Sequence, residues 1–179
     1  MILARIILGF LVIAPMTGYD LMRAFRSSAA HFWRADKAQI YRTLARLVDD
    51  GHARAEIVPG EGGPDRVVHE ITGAGRDALV EWLASGPARP AERDEFLARV
   101  FFAESLDPRV LRRFLAASRD VADASLQALR DVGRDLPETD PATDRGAWLR
   151  RMTLEHGIRS HEMHIAWIDE LEVGLGTER

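Results

Sequence analysis

The sequence predicts a mainly α-helical fold with a small β-wing, on three observations. Residues 36–51, DKAQIYRTLARLVDDG, carry the start and stop signals of a helix. Two short strand-like runs follow at once, ARAEIV and RVVHEI, around the Gly- and Pro-rich turn PGEGGPD. Beyond residue 92, apolar side chains recur every three or four positions in two runs of about 28 residues each. Helices, then a hairpin, then a helix is the order of an N-terminal winged helix-turn-helix; the later runs predict a C-terminal helical domain that dimerises.

The elements follow in order. Ile2 to Ala14 reads as the first helix, closed by Pro15. The run MILARIILGFLVIAPM is apolar, yet it is shorter than the roughly 20 residues of a membrane span. Arg5 interrupts it, and no small-residue cleavage pattern follows. A buried helix shared between a core and a dimer contact is expected instead. Thr17 with Asp20 forms a capping-box signal for a second helix through about Arg26, in which Leu21, Ala24 and Phe25 face the core. The connection SSAAHFWRA is longer than a tight turn, and Phe32 and Trp33 are expected to anchor it. Asp36 caps the third helix, Gln39 completes its box and Gly51 stops it. Ile40, Leu44 and Leu47 share one face of that helix, while Gln39, Arg42 and Arg46 point broadly away. Thr72 then opens TGAGRDALVEWL.

The stretch SGPARPAERD has no apolar periodicity and marks a boundary: a first domain at 1–84, a linker at 85–92 and a helical domain at 93–179. After EFLARVFF, Asp107 caps a helix with Pro108 at its first position. Leu111, Phe114, Ser118, Val121, Ser125, Leu129, Val132 and Leu136 form its stripe. Residues 137–144 turn the chain into a last helix from about Arg145 to Val173, with a seam of Leu154, Ile158, His161, Ile165 and Ile168. Two helices of roughly 40 Å, each with an apolar stripe, need more cover than each other and a small headpiece provide. A second subunit is the expected cover, with those five seam residues as the dimer interface.

Composition narrows the function. A chain of 179 residues with 46 % hydrophobic content can bury a core. It has no Cys, which removes disulfides, thiolate metal sites and Cys nucleophiles and suits a cytoplasmic location. The net charge of −4 conceals a local patch. Arg23, Arg26, Arg34, Lys37, Arg42 and Arg46 fall within 24 residues that hold one acid, Asp36. Clustered cations neutralise phosphates and release counterions, so the patch points to double-stranded DNA as the partner. Donors on the exposed face of the third helix would enter a major groove, and Arg66 on the wing would grip backbone or minor groove. Tyr41, at the flank of that helix, can pack its ring while its hydroxyl reaches a phosphate. A winged helix used only for protein contacts is the competing class; it has no need of Gln39, Arg42, Arg46 and Arg66 so concentrated.

Other chemistry finds little support. His156, His161 and His164 lie near Glu155 and Glu162, but HEMH spaces its histidines one residue short of a zinc-protease motif. Interhelical hydrogen bonding is the expected role of these histidines, and neither metal nor cofactor is expected. GEGG lacks the strand-to-helix frame of a phosphate loop, and no Ser sits in a nucleophile elbow, so the chain is not expected to be an enzyme. Trp148, Met152, His156, Met163 and Trp167 could line a small-molecule cavity on the last helix, although a Met and Trp stripe fits a dimer core better.

The runs AQIYRTLARLVDDGHA, GEGGPDR and HEITGAGRDALVEWL resemble the PadR family of transcriptional regulators, as does the upstream ILGFLVIAPMTGYDLMRAF with its pair Gly18 and Tyr19. FLARVFFAESLDP and MTLEHGIRSHEMHIAWIDEL are similar to the larger PadR subgroup, which carries a helical C-terminal domain of the virulence-activator type. The resemblance implies a homodimeric repressor on an inverted repeat, responsive in some relatives to phenolic acids or planar drugs. It implies DNA contacts from Tyr19, Lys37, Gln39, Tyr41, Arg42, Arg46 and Arg66. Arg42 stands where many members have Pro, and His69 where Tyr is common; either could retune the DNA sequence that is read, and neither threatens the fold.

Overall fold

The computed structural model describes residues 1–29, 32–33, 35–59, 65–86, 94–134 and 136–176. The wing turn expected at residues 59–65 and the linker expected at 85–92 lie largely outside them, as does Arg34. The chain divides into two compact units, 1–88 and 89–179.

In the first unit, α1 (Ile2–Ile13) ends before Pro15 as expected. Met16 and Thr17 form a two-residue strand, β1, too short to leave a periodic signal in the sequence. Thr17 also caps α2 (Gly18–Ala24): its Oγ1 accepts from the Asp20 amide at 3.1 Å, and Asp20 accepts from the Thr17 amide. The helix does not continue regularly to Arg26. Phe25 to Ala29 form a π-helical turn, which ends with the Phe32 and Trp33 amides both donating to the Ala29 carbonyl. Of these adjacent residues only Trp33 turns inward against the core, and Phe32 is 54 % exposed.

Asp36 and Gln39 form the predicted box at the start of α3 (Lys37–Asp49), and Ile40, Leu44 and Leu47 are buried. The stop is a Schellman turn. The His52 amide bonds the Leu47 carbonyl and the Gly51 amide that of Val48, while Gly51 takes φ 71°, where a side chain would be strained. Strands β2 (Ala53–Val58) and β3 (Arg66–Ile71) are antiparallel, and β1 pairs with the other edge of β3. β3 is thus central, in the order β1-β3-β2. α4 (Gly73–Ala84) is capped by Thr72 and places Leu79 in a core built from Leu3, Ile7, Leu8, Leu11, Leu21 and Phe25.

In the second unit, α5 (Glu95–Phe101) and a short 3-10 turn (Ala103–Ser105) precede α6 (Pro108–Arg134) and α7 (Arg145–Gly176). α6 and α7 run antiparallel, joined by Arg112 to the Leu175 carbonyl, Arg119 to Asp169 and Arg130 to Glu162. The stripe on α6 is rotated from the expected one. Leu115, Ala122 and Leu126 are buried, and Val121 is 68 % exposed. Ala122 adds little to an apolar count, yet it is buried together with Leu126 and Ile165, and Ile158 packs against that cluster.

That packing corrects the interface assignment. Leu154, Ile165 and Ile168 are buried within the single chain, Ile158 packs on the cluster of Ala122, Leu126 and Ile165, and His161 is half-buried. The seam on α7 fills the interior of its own subunit, because α6 offers a stripe of the same length.

Candidate nucleic-acid interface

α3 carries the reading face. With Ile40, Thr43, Leu44 and Leu47 buried, the opposite crest consists of Ala38, Arg42 and Ala45, all exposed. The two alanines escape a search for donors. Their signal is small side chains at helical spacing on a polar face, which let a helix lie close to base edges while Arg42 reaches them.

The flanks of the crest differ. On one side the Tyr41 ring lies over Gly18, so closely that a Cβ on Gly18 would stand 2.7 Å from the ring carbons. Lys37 Nζ sits 5.8 Å from the centroid of the same ring. Gly18, Tyr19, Lys37 and Tyr41 thus form one patch at the N-terminus of α2, where amide groups and the helix dipole favour an anion. Tyr19 is 65 % exposed there. Asp20 lies in the same turn, its carboxyl held below its ordinary range by the Thr17 hydroxyl, against opposition from burial, with further help from Arg23 and Arg66. On the other side stand Gln39 and Arg46. Gln39 Oε1 is already engaged by the Asp36 amide at 3.1 Å, so its free capacity is the donor amide. Arg46 Nη1 lies 3.0 Å from the Met1 sulfur. Arg66 is exposed at the wing end of β3, paired in register with Val58.

His69 does not belong to this surface. It sits on central β3 between Met16 and Ala55, 8 % exposed, and its Nδ1 has no hydrogen-bond partner. A role in retuning the sequence read is therefore withdrawn. Burial lowers its pKa below the ordinary 6.5, and the Met16 backbone opposes this in part. Because the folded chain resists the proton that the unfolded chain accepts, stability is unaffected above about pH 6.5 and falls as the pH drops below it. Urea melts of the parent chain and His69→Tyr at pH 7.5 and 5.5 test this. The parent should lose more stability than the variant on acidification, and equal losses would remove His69 as the cause.

The residues expected to line an effector cavity all lie on α7. Met152, His156 and Met163 are exposed, and Trp148 is half-buried. Trp167 meets the Phe96 ring edge-on at 6.0 Å. His164 bonds Ser118 of α6 at 3.4 Å, an interhelical contact of the kind expected for these histidines. Among the described residues no group of three or more His, Asp or Glu is placed to hold a metal ion. No described helix is long and apolar enough to cross a membrane.

Comparison with known proteins decides the family. Residues 7–81 match the transcriptional regulator PadR-like family, and residues 92–175 match the virulence activator alpha C-terminal domain. A probable transcriptional regulator of Mycobacterium tuberculosis is 31 % identical over the whole of both chains. The chain belongs to the PadR-like family of transcriptional regulators. PadR-like proteins are DNA-binding regulators and not enzymes. The fold agrees. PadR of Bacillus subtilis in complex with operator DNA superposes with a TM-score of 0.84 over 98 % of this chain and 99 % of that one, at 22 % identity. The Vibrio cholerae virulence activator AphA gives 0.77 over 99 % of each, at 28 % identity. The Bacillus PadR has also been solved with p-coumaric acid, with a TM-score of 0.76 over 98 % of this chain and 99 % of that one, at 23 % identity.

Proposed function

We propose that this PadR-like regulator is a homodimeric repressor that reads an inverted-repeat operator in the cytoplasm. The crest of α3 carries this reading: Arg42 exposed between two alanines, flanked by Gln39 and Arg46 on one side and by Lys37 and Tyr41 on the other. Arg42 and Gln39 read bases, whereas Lys37, Tyr41, Tyr19, Arg46 and Arg66 hold phosphates. Operator binding by the Bacillus relative supports the partner. A second copy is favoured by the large apolar side chains that the C-terminal unit leaves on its surface, among them Phe101 at 82 % exposure, Phe102 at 74 % and Met163 at 65 %. Two reading heads held by that unit would meet half-sites about one helical turn apart. Given the p-coumaric acid complex of the relative, a phenolic or planar aromatic effector would act by changing that spacing.

Titration of a promoter fragment at several salt concentrations, beside sedimentation of the free protein, tests the proposal. Neutralising about six phosphates predicts a slope near −5 of log affinity on log salt. Arg42→Ala should cost roughly 1 to 3 kcal/mol on the preferred site and blur the preference between sites, while Arg66→Ala should weaken all sequences evenly. A chain that ignores every promoter-proximal inverted repeat, even as a dimer, would favour a winged helix used for protein contacts.

A further inference from the structure

The flank of α3 that carries Gln39 and Arg46 is also the wall of a groove. Between α1 and α3 lie two adjoining hollows that share Met1, Thr43 and Arg46, with volumes of about 400 Å³ and about 280 Å³. The larger has two unlike walls. Ile2, Leu3 and Trp33 form an apolar one, and Gln39, Arg42 and Arg46 form a donor-rich one. Among the described residues no acidic side chain lines it, whereas Asp50 lines the smaller hollow and would repel an anion there. Neither Arg42 nor Arg46 is paired with a carboxylate among the described residues, and the Gln39 amide nitrogen is left uncommitted by the capping box. Trp33 is held in place by the core behind it. The larger hollow is an open groove whose volume is that of a site for a small organic ligand. The two arginines that line it favour a carboxylate or phosphate through charge-assisted hydrogen bonds.

We propose that this groove binds a small amphiphilic anion, with its apolar body against Ile2, Leu3 and Trp33 and its acid group against Arg42 and Arg46. Its regulatory consequence rests on the DNA-binding reading: the ligand occupies the same guanidinium groups that α3 offers to the operator, so anion and DNA exclude one another. Regulation at this groove needs no change in dimer geometry, unlike an effector on α7.

Calorimetric titration of the full chain with naphthalene-2-carboxylate, and with the uncharged naphthalene-2-methanol, tests the site without DNA. The carboxylate should bind and quench tryptophan emission, and the alcohol should bind about tenfold or more weakly, a difference of about 1.4 kcal/mol. Arg42→Gln with Arg46→Gln should produce a similar loss, and Arg159→Gln on the surface of α7 should not. All three positions are exposed, and circular dichroism checks that helix content is kept. Absence of carboxylate binding, or binding indifferent to the paired substitution, overturns the proposal. Arginine-dependent binding in a chain that ignores DNA leaves the groove standing and removes the repressor reading. Where DNA binds, the carboxylate should release it competitively; a ternary complex would overturn the exclusion.

Discussion

Replacing Gly75 with Ala should destabilise the DNA-binding unit by about 2 to 4 kcal/mol. A Cβ on Gly75 would stand 2.1 Å from the His52 carbonyl oxygen, which is backbone and cannot rotate aside. That carbonyl accepts the Thr72 amide, and the Thr72 hydroxyl donates to the Gly51 carbonyl while accepting the Gly75 amide. Any relief therefore disturbs the stop of α3 and the start of α4 together. Gly9→Ala is the matched control, since no atom lies within 4 Å of its Cβ position. It should raise stability by roughly 0.5 to 1 kcal/mol, as expected for removing a glycine from a helix interior. Urea unfolding of both variants measures the contrast. A Gly75→Ala chain that unfolds at the parent midpoint would show that α4 does not meet the His52 turn this closely.

Ile168→Glu should cost roughly 3 to 5 kcal/mol and unravel the packing of α6 on α7, because it places a carboxylate with no partner at a fully buried position. Val121→Glu, on the exposed side of α6, should keep the helices intact. The two substitutions separate intrachain core from subunit interface. Were Ile168 an interface residue, its glutamate variant would be a folded monomer with parental helix content. Because it is interior to one chain, the expected loss appears in the circular dichroism itself, whatever the oligomeric state.

Much of the candidate site was legible because its signals are local. Asp36 and Gln39 lie three residues apart, and a capping box needs nothing else to form. Thr17 with Asp20 and Thr72 before α4 follow the same logic, as does Gly51, whose positive φ ends α3. The donor-bearing side of α3 followed from the period of Ile40, Leu44 and Leu47. The groove was not legible. It needs α1 laid beside α3 and Trp33 brought to its mouth, contacts between residues far apart in the chain. The alanines of the crest were passed over because their use lies in what they leave open.

The residues alone determined the order of helices and hairpin, the caps that start them and the faces that must be buried, since these depend on interactions within a few positions. Tertiary structure decided what each face meets. The α7 seam found α6 of its own chain, where Ile165 is buried with Leu126 and with Ala122, a residue that hardly registers in a count of apolar side chains. β1 exists only because β3 offers an unpaired edge to Met16 and Thr17, and that pairing encloses His69 where sequence position suggested a residue facing DNA. Burial is a property of what lies on every side of a residue, and the chain sets only two of those neighbours directly.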